Sequence, residues 1–293
     1  MWPCKGGHGQ STAKIEGGYG SSHTFALPHP QLMPVFAATD FHLGSPSYGE
    51  SRAREQRVVR WLEHCAEAGA SQIWLLGDTF DFWFEYRRAV PKGFTRLLGS
   101  LARLHDAGVQ VSAWTGNHDM WIFDYLPTET GLHLYRQPTR LEAEGLRCLV
   151  GHGDGLGPGE RLYKVLKKAF ASPLCQQAFG FLHPNVGMWI AQNWSNNSRR
   201  SHGPADQSFK GEQEYIWQWA QAQHAIDAWP DLYLFGHRHL AMWLPVGSTA
   251  HYLNLGDWFG TGMYARLANG QVEVFTEQHR PVPLAAGPLP QPA

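Results

Sequence analysis

The 293-residue sequence lacks any run of about 18 consecutive apolar residues, which argues against a helix that crosses a membrane. It has only four cysteines, and their spacing fits neither a disulfide framework nor a thiolate zinc site. The formal net charge of −1 provides no general attraction for nucleic acid. The first 30 residues contain no apolar segment typical of a signal peptide. These absences predict a protein of the reducing cytoplasm and leave its oligomeric state open.

Short apolar segments that end in polar, often glycine-containing turns recur along the chain. Helical spacing over 50–68 and 92–107 separates the first three segments, so we predict right-handed βαβ crossovers and a parallel sheet. A hairpin pattern surrounds Gly145, and Asn269-Gly270 is a strong hairpin signal. The clustered strands late in the chain predict a second sheet.

These patterns divide the chain into five parts. We expect a loose extension at 1–32 and an α/β core in two pieces, 33–154 and 231–279. The residues between the two pieces, 155–230, have the pattern of an inserted helical lid. The proline-rich segment 280–293 is predicted to be an irregular tail.

Polar side chains with metal-ligating chemistry follow five of the strands. Because the ends of neighbouring parallel strands meet at one edge of a sheet, we expect these side chains to converge. Each group alone is a weak signal, since Asp78 could cap a helix and a lone Gly-His could be a structured loop. Five groups in sequence are much harder to explain as coincidence. The candidate metal ligands are Asp40, His42, Asp78, Asn117, His152, His237 and His239.

The five groups resemble the signature blocks of the calcineurin-like metallophosphoesterases and occur in that family's order. The blocks are Asp40-Phe41-His42, Gly77-Asp78, Gly116-Asn117-His118-Asp119, Gly151-His152 and Gly236-His237-Arg238-His239. The resemblance implies a four-layer αββα sandwich with an inserted helical lid and two divalent metal ions at the strand ends. It also implies that Asp78 bridges the ions, one held with Asp40, His42 and His239, the other with Asn117, His152 and His237.

The donor types suggest which metals bind and which reaction the metals support. Mixed imidazole and carboxylate donors favour Mn(II), with Fe and Zn as alternatives, over Ca or Mg. A pair of such ions activates water and stabilises the oxygens of a phosphoryl displacement. His118 is not needed as a ligand, and we expect it to donate to the phosphoryl oxygen or the leaving group. Asp119 either orients His118 or caps a helix, and Asp154 is a candidate to orient His152.

Three further features resemble one branch of the family, the UDP-2,3-diacylglucosamine pyrophosphatases of lipid A synthesis. They are the stretch 77–83, the helical insertion before the fifth block, and Asn254-Leu255-Gly256-Asp257-Trp258. The resemblance implies hydrolysis of this lipid-linked nucleotide-sugar diphosphate to UMP and 2,3-diacylglucosamine 1-phosphate (lipid X). Such enzymes act at the cytoplasmic face of the inner membrane. One position departs from the pattern, because the best-known branch has arginine in place of His118.

The insertion carries the expected substrate-binding residues. Between Arg161 and Arg200 it has six Lys or Arg and no Asp or Glu. Its basic helix face suits a diphosphate or an anionic inner-membrane surface, or is simply solvated. Its aromatic residues, among them Phe179 and Trp189, would line an acyl pocket or form the insertion's own core. The candidate substrate-binding residues are Tyr163, Lys164, Lys167, Arg199, Arg200 and Lys210.

Two other functions stay open at this point. A metallophosphatase or phosphodiesterase of broader specificity, acting on nucleotides or small phosphoesters, would not depend on acyl chains. A phosphoesterase fold kept only as a binding scaffold would need degenerate ligand positions. No candidate ligand position in this sequence is degenerate, which argues against the scaffold.

Overall fold

The computed structural model describes residues 33–158, 161–201, 208–260 and 262–290. These residues form two β-sheets with helices on their outer faces. The predicted extension at 1–32 and the last three residues of the tail lie outside the described residues.

The first sheet has seven strands. Its parallel half contains β1 (Val35–Ala38), β2 (Gln72–Leu75), β3 (Gln110–Trp114) and β4 (His133–Tyr135). Its antiparallel half lies beyond β1 and contains β10 (Met263–Ala268), β11 (Gln271–Thr276) and β12 (Pro281–Val282). The predicted turn at Asn269-Gly270 joins β10 to β11, and both of its residues have positive φ.

The second sheet has six strands. The predicted hairpin around Gly145 is formed by β5 (Thr139–Ala143) and β6 (Leu146–Val150). Strand β7 (Leu232–Phe235) pairs in parallel with β6 and with β9 (Ala250–Leu255). Strands β8 (Ala241–Val246) and β13 (Gly287–Pro288) complete the sheet in antiparallel orientation.

The helices and sheets stack in four layers. Helices α1 (Tyr48–Glu67), α2 (Thr95–Asp106) and α3 (Tyr125–Thr130) pack on the first sheet, and α7 (Tyr215–Ile226) packs on the second. A further apolar cluster fills the space between the two sheets. The predicted αββα sandwich is therefore confirmed.

Strand β1 illustrates how the sequence produces these layers. Phe36 and Ala38 pack under the helices, whereas Val35 and Ala37 pack between the two sheets. Successive side chains of a strand point to opposite faces, so a strand buried on both faces needs an unbroken apolar run. The run ends where the strand reaches the sheet edge, and polar residues follow.

Three lid helices, α4 (Arg161–Phe170), α5 (Pro173–Gly180) and α6 (Pro184–Ser201), lie within the predicted insertion. Helix α7 also falls inside the predicted boundary at 230, but its Ile216 and Ala220 pack against the second sheet. This helix is a layer of the sandwich, and we propose that the insertion ends before it. No described helix combines the length and hydrophobicity needed to cross a bilayer.

The tail differs from its prediction. Residues 281–282 pair with β11, and residues 287–288 pair with β8. The segment thus adds an edge strand to each sheet, a position where proline is tolerated because one side of the strand needs no donor. The prediction of an irregular tail is wrong for these residues.

A buried arginine fixes the loop that follows β1. The guanidinium of Arg54 in α1 donates hydrogen bonds to the main-chain oxygens of Phe41, His42 and Ser45. It also lies 4.4 Å from the ring centre of Phe259. Burial lowers the pKa of Arg54 to about 10, so the side chain stays charged at neutral pH. Helix α1 is thereby tied to the loop that carries Asp40 and His42.

We expect Arg54→Met to lower the free energy of unfolding by roughly 3 kcal/mol, because it leaves three main-chain oxygens without their donor. Urea denaturation measures the change. Arg60→Met is the matched control, since Arg60 lies exposed on the same helix and should change the value by less than about 0.5 kcal/mol. Equal effects of the two substitutions would contradict this role of Arg54.

Candidate metal centre

The loops that follow the strands have an unusual backbone. Nine non-glycine residues have positive φ among the residues described, and five of these are predicted metal ligands. Such left-handed conformations cost energy for non-glycine residues and cluster at functional sites. The five are Asp40, His42, Asp78, His237 and His239, with φ of 54°, 43°, 49°, 69° and 51°.

Two glycines let these loops approach each other closely. A Cβ at Gly77, where φ is 91°, would lie 2.6 Å from the ring of His152. A Cβ at Gly116 would overlap the carboxylate of Asp78. The glycines of the second and third blocks are therefore required by the crowding of the site.

Asp40, His42, Asp78 and His239 form a first cluster whose potential ligand atoms lie within 4.8 Å of one another. Nε2 of His239 lies 3.2 Å from Oδ1 of Asp40. Nε2 of His42 lies 3.5 Å from the same oxygen and 3.6 Å from Oδ2 of Asp78. The two imidazole nitrogens are 3.1 Å apart. These four residues are the set predicted to hold one ion.

A second cluster contains Asp78, His152 and His237. Nε2 of His152 lies 3.2 Å from Oδ2 of Asp78 and 3.2 Å from the amide oxygen of Asn117. Asp78 belongs to both clusters, and its Oδ2 faces imidazoles of each. The structure thus brings all seven predicted ligands together, with Asp78 in the shared position.

The buried carboxylates test whether cations fit here. Oδ2 of Asp40 accepts hydrogen bonds from the Thr39 hydroxyl and the His237 main chain, and Oδ1 of Asp78 accepts one from the His118 main chain. The other oxygen of each carboxylate is buried without a hydrogen-bond partner among the described residues. A buried carboxylate oxygen is stable only when it is paired or coordinates a metal. These atoms face the imidazole clusters, so the residues fit divalent cations.

The outer nitrogens of the imidazoles face acceptors. Nδ1 of His152 lies 2.8 Å from the Leu76 carbonyl oxygen, and Nδ1 of His239 lies 3.1 Å from Oδ2 of Asp257. Acceptors at Nδ1 favour the tautomer in which Nε2 carries a lone pair. Nε2 is the nitrogen that faces the carboxylates, which is the arrangement that metal coordination needs.

The electrostatics of the clusters reflect the two carboxylates. Burial would raise the pKa of Asp78, but His152 beside it holds this pKa well below its usual range. The pKa of Asp40 is also lowered, because the imidazoles of His239, His42 and His152 together outweigh the effect of burial. Burial would lower the pKa of His152, but the Asp78 charge raises it to about 10. The site therefore attracts positive charge strongly.

The sequence model of the calcineurin-like phosphoesterases matches residues 33–241, about seven-tenths of the chain. The chain belongs to the calcineurin-like phosphoesterase family. With the donor clusters, this membership makes it a metal-dependent hydrolase that binds divalent metal.

Two curated relatives match this chain over most of their own length. A Porphyromonas gingivalis protein named UDP-2,3-diacylglucosamine hydrolase is 35% identical over 243 residues, covering 79% of this chain and 92% of that protein. A protein of the same name from Yersinia pseudotuberculosis is 26% identical over 215 residues, covering 71% and 85%. Among solved structures, YfcE, a phosphoesterase from E. coli, is 18% identical. It covers 87% of this chain and 99% of its own, with a TM-score of 0.44.

The His118 side chain of this phosphoesterase lies at the edge of the first cluster. Its ring centre is 4.8 Å from that of His42, and 16% of the side chain is exposed. Nδ1 lies 3.0 Å from the Asp81 carbonyl oxygen. Burial lowers the pKa of His118, so the ring is not held as a permanent cation. Because Nδ1 faces an acceptor, the neutral ring carries its lone pair on Nε2, and the predicted role as a donor to substrate needs the protonated ring.

Asp119 does not orient His118, which is the first of its two predicted roles. Its carboxylate accepts hydrogen bonds from the main chains of Gly116, Thr79 and Phe80, at 2.7, 2.8 and 3.3 Å. Asp81, rather than Asp119, contacts the His118 ring. Asp119 therefore joins the second block to the third through main-chain hydrogen bonds. None of these donors begins a helix, so the alternative prediction of a helix cap is wrong as well. Burial and the nearby Asp78 charge raise its pKa to about 7.

Asp81 is a site residue without a predicted role. Its Oδ1 lies 3.4 Å from Nδ1 of His42 and 3.9 Å from Nδ1 of His118. Its Oδ2 accepts a hydrogen bond at 3.0 Å from the buried hydroxyl of Ser195 in α6. Asp81 thus connects a lid helix to the metal centre. Asp81 could have been identified from the sequence, because it lies in the family-like stretch 77–83. Asp257 could have been identified in the same way from the Asn254–Trp258 motif.

Asp154 also differs from its prediction. Its Oδ2 accepts a hydrogen bond from the Tyr163 hydroxyl at 2.7 Å and pairs with Lys167 at 2.7 Å. The His152 ring is instead oriented by Leu76. Asp154 therefore ties helix α4 to the loop after the fourth block, and two predicted substrate-binding residues take part in that contact.

The other predicted substrate-binding residues are less closely defined. Lys164 donates to the Gly157 carbonyl oxygen at 2.6 Å. Lys210 is exposed, and its main chain donates to Glu214, which pairs with Arg238 of the fifth block. The side chains of Arg199 and Arg200 lie outside the described residues.

The aromatic residues of the lid divide into two sets. Phe179 packs on Phe82, Phe84 and Trp121, with ring centres 5.9, 4.8 and 4.6 Å away. This contact attaches the lid to the sandwich, whereas the packing alternative had placed the ring in the insertion's own core. Trp189 and other large apolar side chains of the lid are exposed.

We expect Asp78→Ala to reduce bound Mn(II) from about two ions per chain to less than one, because the substitution removes the carboxylate common to both clusters. His239→Ala should leave about one ion, since it affects one cluster. Elemental analysis after dialysis measures the content. Asp106→Ala, at an exposed position in α2, is the control and should keep both ions. Two ions retained by Asp78→Ala would refute the shared role.

His118→Ala and Asp119→Asn should separate chemistry from structure. His118→Ala should keep metal content and unfolding free energy but lower kcat by about 10²-fold or more, because a donor to substrate is lost. Asp119→Asn should lower the unfolding free energy by roughly 1–3 kcal/mol, because an amide cannot accept all three main-chain bonds. An unchanged kcat for His118→Ala would remove His118 from the chemistry.

Proposed function

We propose that this phosphoesterase hydrolyses the pyrophosphate bond of UDP-2,3-diacylglucosamine, releasing UMP and 2,3-diacylglucosamine 1-phosphate (lipid X). The observation that carries the proposal is a centre of seven metal-donor residues beside a lid that is basic near the centre and apolar on its exposed surface. The relatives named UDP-2,3-diacylglucosamine hydrolase support the same substrate.

We propose the ligand sets given above, with Mn(II) as the metal and Fe or Zn as alternatives, because the donors are imidazoles and carboxylates. When bound, the two ions supply activation of water and stabilisation of charge on the phosphoryl group. Water provides the oxygen that one phosphorus gains, and the bridging oxygen leaves with the other phosphate. His118, protonated at Nε2, donates to the phosphoryl oxygen or to that leaving oxygen. Asp81 orients His118 and His42, and Lys164 and Lys167 lie beside the site in the basic helix.

The lid provides the apolar surface that two acyl chains need. Six of the ten exposed large apolar side chains in the described residues lie between 165 and 190. Their exposure would be unfavourable in water over so short a segment, and it suits contact with acyl chains or a bilayer surface. They are Val165, Leu174, Phe181, Val186, Trp189 and Ile190, with 64, 78, 91, 46, 65 and 39% exposure. We propose that the protein acts at the cytoplasmic face of the inner membrane through this lid.

A second candidate function is a phosphodiesterase or phosphatase of broader specificity. The observation that favours it is His118, which replaces the arginine expected of the best-known branch. A neutral imidazole provides one donor, whereas a guanidinium provides a permanent charge and several donors. Small esters would then be hydrolysed without acyl chains.

Purified protein with Mn(II) should release UMP from UDP-2,3-diacylglucosamine, and the rate should depend on the acyl chains, because they fill the apolar part of the site. UDP-N-acetylglucosamine, which lacks them, is the comparison substrate, and Asp78→Ala is the inactive control. Chromatography of UMP measures the reaction. Rapid cleavage of simple aryl phosphodiesters with no UMP from the lipid substrate would favour the second function instead.

Membrane contact through the lid has its own test. Phe181→Ser and Trp189→Ser should each reduce sedimentation with phosphatidylglycerol vesicles several-fold, because each removes exposed apolar surface. Ile226→Ser is the control, since Ile226 is 81% exposed but lies on α7, outside the lid. Equal loss in all three variants, or no loss in any, would contradict a lid-mediated contact.

A further inference from the structure

A cavity of about 360 Å³ extends from the metal centre along helix α4. His152 and Asp154 line one part of it, and Arg136 and Pro138, from the loop between β4 and β5, line another. The volume lies within the range of small-ligand sites, roughly 300–1,000 Å³. Because the proposed metal ligand His152 lines this cavity, one end of a bound ligand would reach the metal centre.

The lining of this cavity is strongly cationic. Lys164, Lys167 and Lys168 line it together with Arg136, and Asp154 is its one acidic residue among those described. Asp154 is already held by Lys167 and Tyr163. The cavity thus has an excess of positive charge directly beside the proposed reaction centre, which suits an anionic ligand rich in acceptors.

Arg136 has a fixed position and spare donors. Its guanidinium donates to the main-chain oxygens of Met120 and Ile122. A guanidinium has five N–H donors, so those not used by these oxygens remain for a ligand. Lys168 is exposed on the cavity side and has no carboxylate partner among the described residues.

The apolar part of the lid lies elsewhere. None of Phe181, Trp189 or Ile190 lines the cavity, and the Lys side chains of α4 do. A substrate with a polar half and a greasy half would therefore have its halves on different surfaces. A cavity of this size and charge cannot accommodate two long acyl chains, but it suits a nucleotide.

We propose that this cavity binds the nucleoside monophosphate half of the substrate, with Arg136 and Lys168 as specificity-determining residues. The inference rests on the proposed function for the identity of the substrate. The phosphate lies at the metal-centre end, beside His152. Arg136 and Lys168 donate to the acceptor-rich ribose and base. The lipid half of the bound substrate extends from the opposite side of the metal centre.

The test is equilibrium binding of UMP to the Mn(II)-loaded full chain, measured by isothermal titration calorimetry. Arg136→Ala and Lys168→Ala should each weaken UMP binding by about tenfold, because each removes a charged donor. Product inhibition should show the same selectivity: the inhibition constant of UMP rises in both variants, and that of 2,3-diacylglucosamine 1-phosphate does not. Lys92→Ala, at an exposed site outside the cavity lining, is the charge-matched control.

The outcomes separate this inference from the proposed function. Unchanged UMP affinity in both variants, equal weakening of both products, or no UMP binding by the parent protein would overturn the nucleotide site. Failure of the parent protein to hydrolyse the lipid substrate would overturn the proposed function, while selective loss of UMP binding in the variants would still support the cavity.

Discussion

The structure depends on the burial of the Asp78 carboxylate between two imidazole clusters. Its outer oxygen is held by a main-chain donor, and its inner oxygen faces His42 and His152 without a hydrogen bond among the described residues. A buried carboxylate in this position is costly without positive charge beside it. The left-handed residues, the crowded glycines and the Arg54 anchor hold the loops in this arrangement. The buried carboxylate and the left-handed residues cost stability that the sandwich must offset, and cations at the centre would offset part of this cost.

Helix α6 connects this centre to the proposed substrate surface. Ser195 contacts Asp81, and Asp81 faces both a proposed ligand, His42, and the proposed donor, His118. Helix α4 is attached separately through Asp154. The lid thus contacts the surroundings of the metal centre at two points. One is Asp81, beside the first cluster, and the other is Asp154, which follows His152 of the second cluster. If the proposed function holds, this arrangement would give a general phosphoesterase centre selectivity for a large amphipathic substrate, because the lid would position His118 as well as the substrate.

Local sequence patterns predict the parallel sheet and the candidate donors, and the resemblance to the family adds the sandwich. A doubly buried strand is an unbroken apolar run, and its end at the sheet edge is marked by Asp40 or Asp78 in the next few residues. The roles of Asp119, Asp154 and Asp81 were not predictable in the same way, because they depend on which distant backbone or side chain each carboxylate meets. The tail strands escaped prediction for a similar reason, since two-residue edge strands have no periodicity.

Anomalous diffraction at the manganese edge, on crystals grown with Mn(II), tests the central claim most directly. Two peaks about 4 Å apart, with the Asp78 carboxylate between them, are the predicted result. The first peak should lie against Asp40, His42 and His239, and the second against Asn117, His152 and His237. A single peak, or two peaks with Asp78 contacting neither, would contradict the account.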